Sequence, residues 1–223
     1  MAEPARRKMT FDEFLAFEGE PDVRYEFEGG LPRAMAPASS RHGRLQENIA
    51  AKIRTHLPTG NCGIVHQPGV RVRKDADERF YVPDLAVTCE AIRDQIYLEE
   101  PRLIVEILSP GTERHDKGAK RTIYATYGVN HLWQVDPRLK SLEVFRRQDN
   151  GWLLTGTFFE NDDVNAEPFT ELTFPLGRLW PLATKSAGHG FRWDLVVSQL
   201  YRANVDPSDR YVLSVAGSTH HRL

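Results

Sequence analysis

The run Leu103-Ile104-Val105-Glu106-Ile107-Leu108 is apolar on both of its alternating faces except for one carboxylate. That is the pattern of a strand buried on both sides of an α/β sheet. Glu106 shares its face with Ile104 and Leu108. A carboxylate buried without a partner costs several kcal/mol or takes up a proton, so a glutamate here calls for a cation, a metal or a catalytic task. Just upstream, Tyr81 to Thr88 is a second β-rich run with one embedded acid, Asp84. Two predicted strands thus each carry one inward carboxylate.

The same patterning predicts the remaining elements. Thr10-Phe11-Asp12-Glu13 is a capping box that opens a short helix to about Phe17. Arg24 to Glu28 and Leu31 to Ala36 flank Gly29-Gly30, a hairpin signal. Ser39 or Ser40 caps a helix from about His42 to Leu57, in which Leu45, Ile49, Ile53 and Leu57 form a stripe that must face the sheet. Ile64 to Arg73 reads as one extended segment, Lys74 to Arg79 as a charged turn and Ala91 to Glu100 as a connector. Thr112 to Tyr127 has helical composition and ends at Gly128, and Leu132 to Val135 is another buried strand. Strand, helix and strand in that order make a βαβ unit, so the strands of Glu106 and Val135 should be parallel. Leu142 to Arg147 and Trp152 to Phe159 form a hairpin on Asn150-Gly151. Phe174 to Leu182 should complete the edge of the sheet.

Length and charge narrow this picture. A chain of 223 residues supports one domain with a real core, here residues 1–182, followed by a C-terminal extension, 183–223, with a partly helical pattern. A formal net charge of -2 excludes a wholly basic nucleic-acid coat protein but not a local basic groove. Cys62 and Cys89 match no metal-ligand spacing and are too few for a disulfide framework, which suggests a reducing compartment. Met1 to Met9 is polar and basic with no apolar stretch behind it, so the expected setting is cytoplasmic, with no membrane span.

Further candidate chemistry lies around the two acids. Asp116, Lys120 and Tyr124 fall at i, i+4 and i+8 and line one helix face, with Arg114, His115, Lys117 and Arg121 around it. A helix that starts shortly after a strand packs back over it, so Lys120 can project toward the carboxylates. Glu26 reads either as a solvated strand glutamate or as part of the site. His42 reads either as a capping or core-edge histidine or as an acid/base group.

Pro83-Asp84, then Glu106 after 22 residues on an apolar strand, then a basic helix, resembles the PD-(D/E)XK nuclease core. More closely, Tyr25-Glu26 before a glycine turn, Ser39-Ser40-Arg41-His42-Gly43, Pro83-Asp84-Leu85, Val105 to Pro110, Asp116 with Lys120 and Tyr124, and Gly128-Val129 before Trp133 to Pro137 resemble the Uma family. That is a bacterial group of restriction-endonuclease-like proteins, and the resemblance covers about Met9 to Leu182. It departs from the general nuclease pattern at the lysine, since position 108 holds Leu108, and the family pattern supplies Lys120 from the following helix instead.

The resemblance implies an α/β fold with a mixed central sheet flanked by helices, and a metal-dependent endonuclease. Asp84 and Glu106, with the backbone carbonyl of Ile107, would hold Mg²⁺ or Mn²⁺, and Lys120 would assist the attacking water. Glu26 and His42 could extend the site. DNA is the implied partner, with RNA left open, and Arg71, Arg73, Lys74, Arg114, Lys117 and Arg121 are candidate phosphate contacts. A homodimer is implied because two sites are needed to cut both strands of a duplex. The alternatives are a nucleic-acid-binding or regulatory module without activity, and a purely structural Glu106–Lys120 pair.

Overall fold

The structure, a computed structural model, describes residues 7–57, 62–89, 96–109, 118 and 120–180. The chain divides into a unit of residues 1–181 and one of residues 182–223, and the described residues all belong to the first. Of the sequence expectations, Arg114, His115, Asp116, Lys117 and the C-terminal extension lie outside the described residues.

A six-stranded sheet forms the centre. Its strands are β3 (Gly63–His66), β6 (Leu85–Thr88), β8 (Leu103–Ile107), β9 (His131–Asp136), β10 (Ser141–Gln148) and β11 (Gly151–Phe159), in the order β11-β10-β9-β8-β6-β3. Within it only β8 and β9 run parallel, with Glu106 opposite Gln134, as the strand-helix-strand pattern predicts. All five residues of β8 are buried. A five-stranded sheet has the order β2-β1-β5-β4-β7, built from β1 (Tyr25–Glu28), β2 (Leu31–Ala34), β4 (Gly69–Lys74), β5 (Asp77–Tyr81) and β7 (Tyr97–Leu98).

The apolar faces decide the layering. Helix α2 (Ser40–Arg54) buries Leu45, Ile49 and Ile53 against Leu85, Leu103, Val105, Ile107 and Val135 on one face of the central sheet. On the other face Ile104 and Leu132 pack with Val70, Val72 and Tyr81 of the five-stranded sheet and with Ile123 and Tyr124 of α3 (Arg121–Thr126). Helix α1 (Phe11–Leu15), with its Thr10/Glu13 capping box intact, packs Phe11 and Phe14 against Phe27 and Phe80. The β1–β2 turn places Gly29 and Gly30 at φ 60° and 83°, the left-handed values that a two-residue hairpin of this hand requires. Gly128, at φ 94°, closes α3.

Five sequence expectations are corrected. Lys74 to Arg79 is not a turn throughout: β4 runs to Lys74 and β5 starts at Asp77, which leaves Asp75 and Ala76 as the turn. Ile64 to Arg73 is two strands in two different sheets, separated at Gln67, whose φ of 45° turns the chain. Tyr81 to Thr88 is likewise split: Tyr81 ends β5 in one sheet, Leu85 begins β6 in the other, and Asp84 occupies the bend between them. Phe174 does not complete the edge of the central sheet. It lies in β13 (Phe169–Pro175), which pairs with β12 (Asp163–Ala166) as a separate hairpin and runs into a 3-10 turn, Leu176–Leu179. Finally, Cys62 and Cys89 form a disulfide with a Cα–Cα distance of 4.1 Å. They extend the β3/β6 pairing by one position beyond Gly63↔Thr88, which brings their side chains together.

Candidate functional site

The predicted acids meet at the C-terminal end of β8, and the chain reaches them from both faces of the central sheet. On the α2 face, Ser39 caps the helix by accepting the His42 amide, which fixes the first turn. His42 and Gln46 are one turn apart and clamp a single residue. Nε2 of His42 lies 2.6 Å from Oδ1 of Asp84, and Nε2 of Gln46 donates to the Asp84 carbonyl at 2.5 Å. That carbonyl also accepts the Gln67 amide at 2.9 Å. The bend is thus pinned by side chain and main chain together.

Asp84 reaches β8 through its other oxygen, Oδ2, which accepts the amide of Ile107 at 2.6 Å. That amide belongs to the peptide immediately following Glu106, so the two carboxylates flank one peptide group. In a strand the N–H and C=O of one residue point to the same edge, so the Ile107 carbonyl lies on the edge that faces Asp84.

The opposite face holds Glu106. Lys120 has helical dihedrals, φ −58° and ψ −47°, at the start of α3, so Lys120 and Tyr124, four residues apart, point the same way. The Tyr124 hydroxyl donates to Oε1 of Glu106 at 2.9 Å, and Nζ of Lys120 stands 3.6 Å from the same oxygen. Glu26 of β1 is closer still to the lysine, at 2.7 Å, and accepts the Val82 amide at 3.2 Å. The ammonium also lies 5.7 Å from the Tyr81 ring centroid, within cation–π range. Burial pushes the Tyr81 phenol well above its ordinary value, so it stays neutral beneath the lysine.

Burial sharpens the electrostatics. The side chains of Glu26 and Glu106 are each 5% exposed and that of Lys120 6%, against 14% for Asp84. Among the described residues, Glu26 and Glu106 share the Lys120 ammonium, and Asp84 contacts His42 and the Ile107 amide. Among the described residues, no three His, Cys, Asp or Glu side chains converge as a group able to hold a metal ion. The donor types nevertheless suit a hard divalent cation, being carboxylate oxygens with a carbonyl beside them. Each oxygen of Asp84 already accepts one hydrogen bond and keeps a second lone pair.

The structure therefore brings Glu26, His42, Asp84, Glu106, Ile107 and Lys120 into one region. Leu108, where the general nuclease pattern has its lysine, is buried. Gln46 and Tyr124 hold the carboxylate-bearing elements, and the sequence signal for Gln46 is a polar residue beside Leu45 on the apolar face of α2. The predicted phosphate contacts divide. Arg71 is tied to Glu78 and Glu99 and lies over Phe11, and the Arg121 guanidinium lies over Phe145. Arg73 and Lys74 are exposed. Arg71 and Arg73, with Arg147, line a cavity of about 400 Å³ that also includes Pro101 and Asn130, at the far end of β8 and β9 from the carboxylates.

Comparison with known proteins agrees with this architecture. A crystal structure from Anabaena variabilis, titled "a putative nuclease belonging to DUF820", superposes with a TM-score of 0.62 at 22% identity, over 77% of this chain and 97% of that one. Two uncharacterized proteins of Synechocystis sp. are similar in sequence. The first, slr1290, is 28% identical over 66% of this chain and 79% of its own length. The second, sll1609, is 26% identical over 70% of this chain and 91% of its own length. The model of the Uma2 family, described as "Putative restriction endonuclease", matches residues 11–177, which take in both faces of the site from Glu26 to Tyr124, and the chain belongs to that family.

Proposed function

We propose that this protein is a metal-dependent nuclease that hydrolyses phosphodiester bonds of DNA. The observation that carries the reading is the meeting of Asp84, Glu106 and Lys120 around the Glu106–Ile107 peptide. Its membership of a restriction-endonuclease family supports the same reading.

Attack on a phosphodiester needs a positioned water and relief of the negative charge that builds on the phosphorus oxygens. A divalent cation such as Mg²⁺ or Mn²⁺, held by Asp84, Glu106 and the Ile107 carbonyl, would supply charge relief and a more acidic water. The chain's own residues do the rest. Tyr124 and Lys120 orient Glu106 through its Oε1. His42 and the Ile107 amide fix the Asp84 carboxylate, one on each oxygen. Lys120, anchored by Glu26 at 2.7 Å, is the group placed to hold or move a proton on the attacking water. Exposed Arg73 and Lys74 offer charge to the phosphate backbone without reading sequence.

One observation favours a second reading, a nucleic-acid-binding module without activity: protein donors already engage both oxygens of Asp84 and Oε1 of Glu106. Metal titration by calorimetry, paired with plasmid nicking on wild type and Glu106→Gln, separates the two. Metal binding and nicking that both disappear in the variant support the nuclease. Nucleic-acid binding that is indifferent to chelator, with no nicking by wild type, supports the module. Running the same assay on RNA decides the substrate. Because cutting a duplex at once needs two sites, a homodimer accompanies the proposal, and a monomeric mass by light scattering with DNA bound would remove it.

A further inference from the structure

A cavity of about 430 Å³ opens beside the carboxylates, between the start of α2, the end of β8 and the turn after β9. Its volume falls within the range of about 300–1,000 Å³ typical of small-molecule sites. The lining combines aliphatic Leu45, Ile107, Leu108 and Pro137 with Ser39, Ser109, the His42 ring and Arg138, which pairs with Asp136, and among the described residues no carboxylate contributes to it. Arg41 and Lys140 belong to the lining from opposite elements. Both are exposed.

The cavity shares two residues with the site. His42 lines it and contacts Asp84; Ile107 lines it and donates its amide to Asp84. A guest here therefore sits one side chain away from the proposed reaction centre. Aliphatic walls with cations at the mouth fit a flat, weakly polar ring that carries an anionic group. Within a nucleic acid, that description matches a base and its phosphate. An intact duplex keeps its bases stacked and cannot present one, whereas a single strand or an extruded nucleotide can, for an unstacking cost of a few kcal/mol.

We infer that this cavity receives one base of the strand presented to the carboxylates, with Arg41 and Lys140 holding the adjoining phosphate. The inference rests on the nuclease reading and deepens it: the preferred substrate is a strand with an unstacked nucleotide rather than a uniform duplex. A free nucleotide shares the chemistry, so the test must tell the two sources apart.

The test uses wild-type protein in EDTA, where binding is read with no metal and no cleavage. Two probes are compared: 2-aminopurine deoxyribonucleoside 5′-monophosphate, and a single-stranded oligonucleotide with one internal 2-aminopurine. A base lifted out of its stack into the cavity escapes quenching by its neighbours, so emission from the oligonucleotide should rise several-fold on binding. Pro137→Trp, which fills the cavity, should abolish the rise. Arg41→Ala with Lys140→Ala, both exposed and without cost to the core, should weaken oligonucleotide binding about tenfold. An unchanged emission with wild type, or an equal rise in both variants, overturns the inference. So does binding of the free monophosphate without a response from the oligonucleotide, which would make the cavity a site for a soluble nucleotide. Because nicking is scored separately, a positive emission result stands even if the protein cuts nothing, and the reverse result leaves the nuclease reading untouched.

Discussion

Nζ of Lys120 stands 2.7 Å from Oε1 of Glu26 and 3.6 Å from Oε1 of Glu106, so the lysine is held more tightly by a residue of the amino-terminal hairpin than by its neighbour on β8. Removing the cation takes one partner from each of two buried carboxylates. Lys120→Met should therefore destabilise the fold by about 3–5 kcal/mol, the usual cost of breaking a buried pair from one side. Combining it with Glu26→Leu should recover part of that loss. Urea unfolding of the single and double variants measures both, and a double variant no more stable than Lys120→Met would show that the cost does not come from the charge on Glu26.

Tyr124 gives Glu106 a hydrogen bond from a buried hydroxyl. Tyr124→Phe removes that donor without changing the packing of the ring. The expected loss is about 1.5–3 kcal/mol, the range for a hydrogen bond to a charged group, again read by urea unfolding. Nicking should fall with it, because a carboxylate that has lost one donor is a less well oriented ligand and partner for Lys120.

The Cys62–Cys89 bridge closes a loop with a sequence separation of 27. Loop entropy alone assigns such a closure about 3.5 kcal/mol. Cys62→Ala with Cys89→Ala should lower stability by that order, and dithiothreitol should do the same to wild type. Alkylation of the denatured chain without reductant should modify neither cysteine; two alkylated thiols in protein purified under air would show that the bridge does not form.

His131 carries a pH signature. Burial holds its imidazole below the ordinary value of 6.5, so the unfolded chain takes up its proton at a higher pH than the folded one. Between 6.5 and the folded value the unfolded state binds more protons, and stability falls as the pH falls. Urea midpoints measured at pH 7 and pH 5.5 should drop toward the lower pH in wild type. In His131→Gln the drop should be smaller, and an equal drop in both proteins would assign the dependence to other groups.

The core strand, the hairpins and the parallel β8–β9 pair were legible because each rests on local signals: a two-faced apolar run, a glycine or Asn-Gly turn, and a strand-helix-strand order. Asp84 and Glu106 were legible as acids inside apolar runs. The sheet switches at Gln67 and at Asp84 were not, because an extended run reads the same whichever sheet its two halves join. The disulfide escaped for a related reason: only the register of β3 on β6 brings Cys62 beside Cys89. Glu26 reads either as a solvated strand glutamate or as part of the site, since nothing within β1 signals that Lys120 will cover it. Gln46 gave a faint signal, one polar residue beside an apolar stripe, whose meaning depends on where Asp84 ends up.

The contacts that make the site span large distances along the chain. His42 and Asp84 are 42 residues apart, Glu26 and the Val82 amide 56, and Asp84 and the Ile107 amide 23. Closing such loops is entropically unfavourable until the surrounding structure rewards it, so these contacts form late in folding. A nascent chain that ends before Lys120 holds Glu26 and Glu106 without the ammonium that contacts both. On the proposed reading, the full set of groups would therefore exist only once residues from both faces of β8 have folded together.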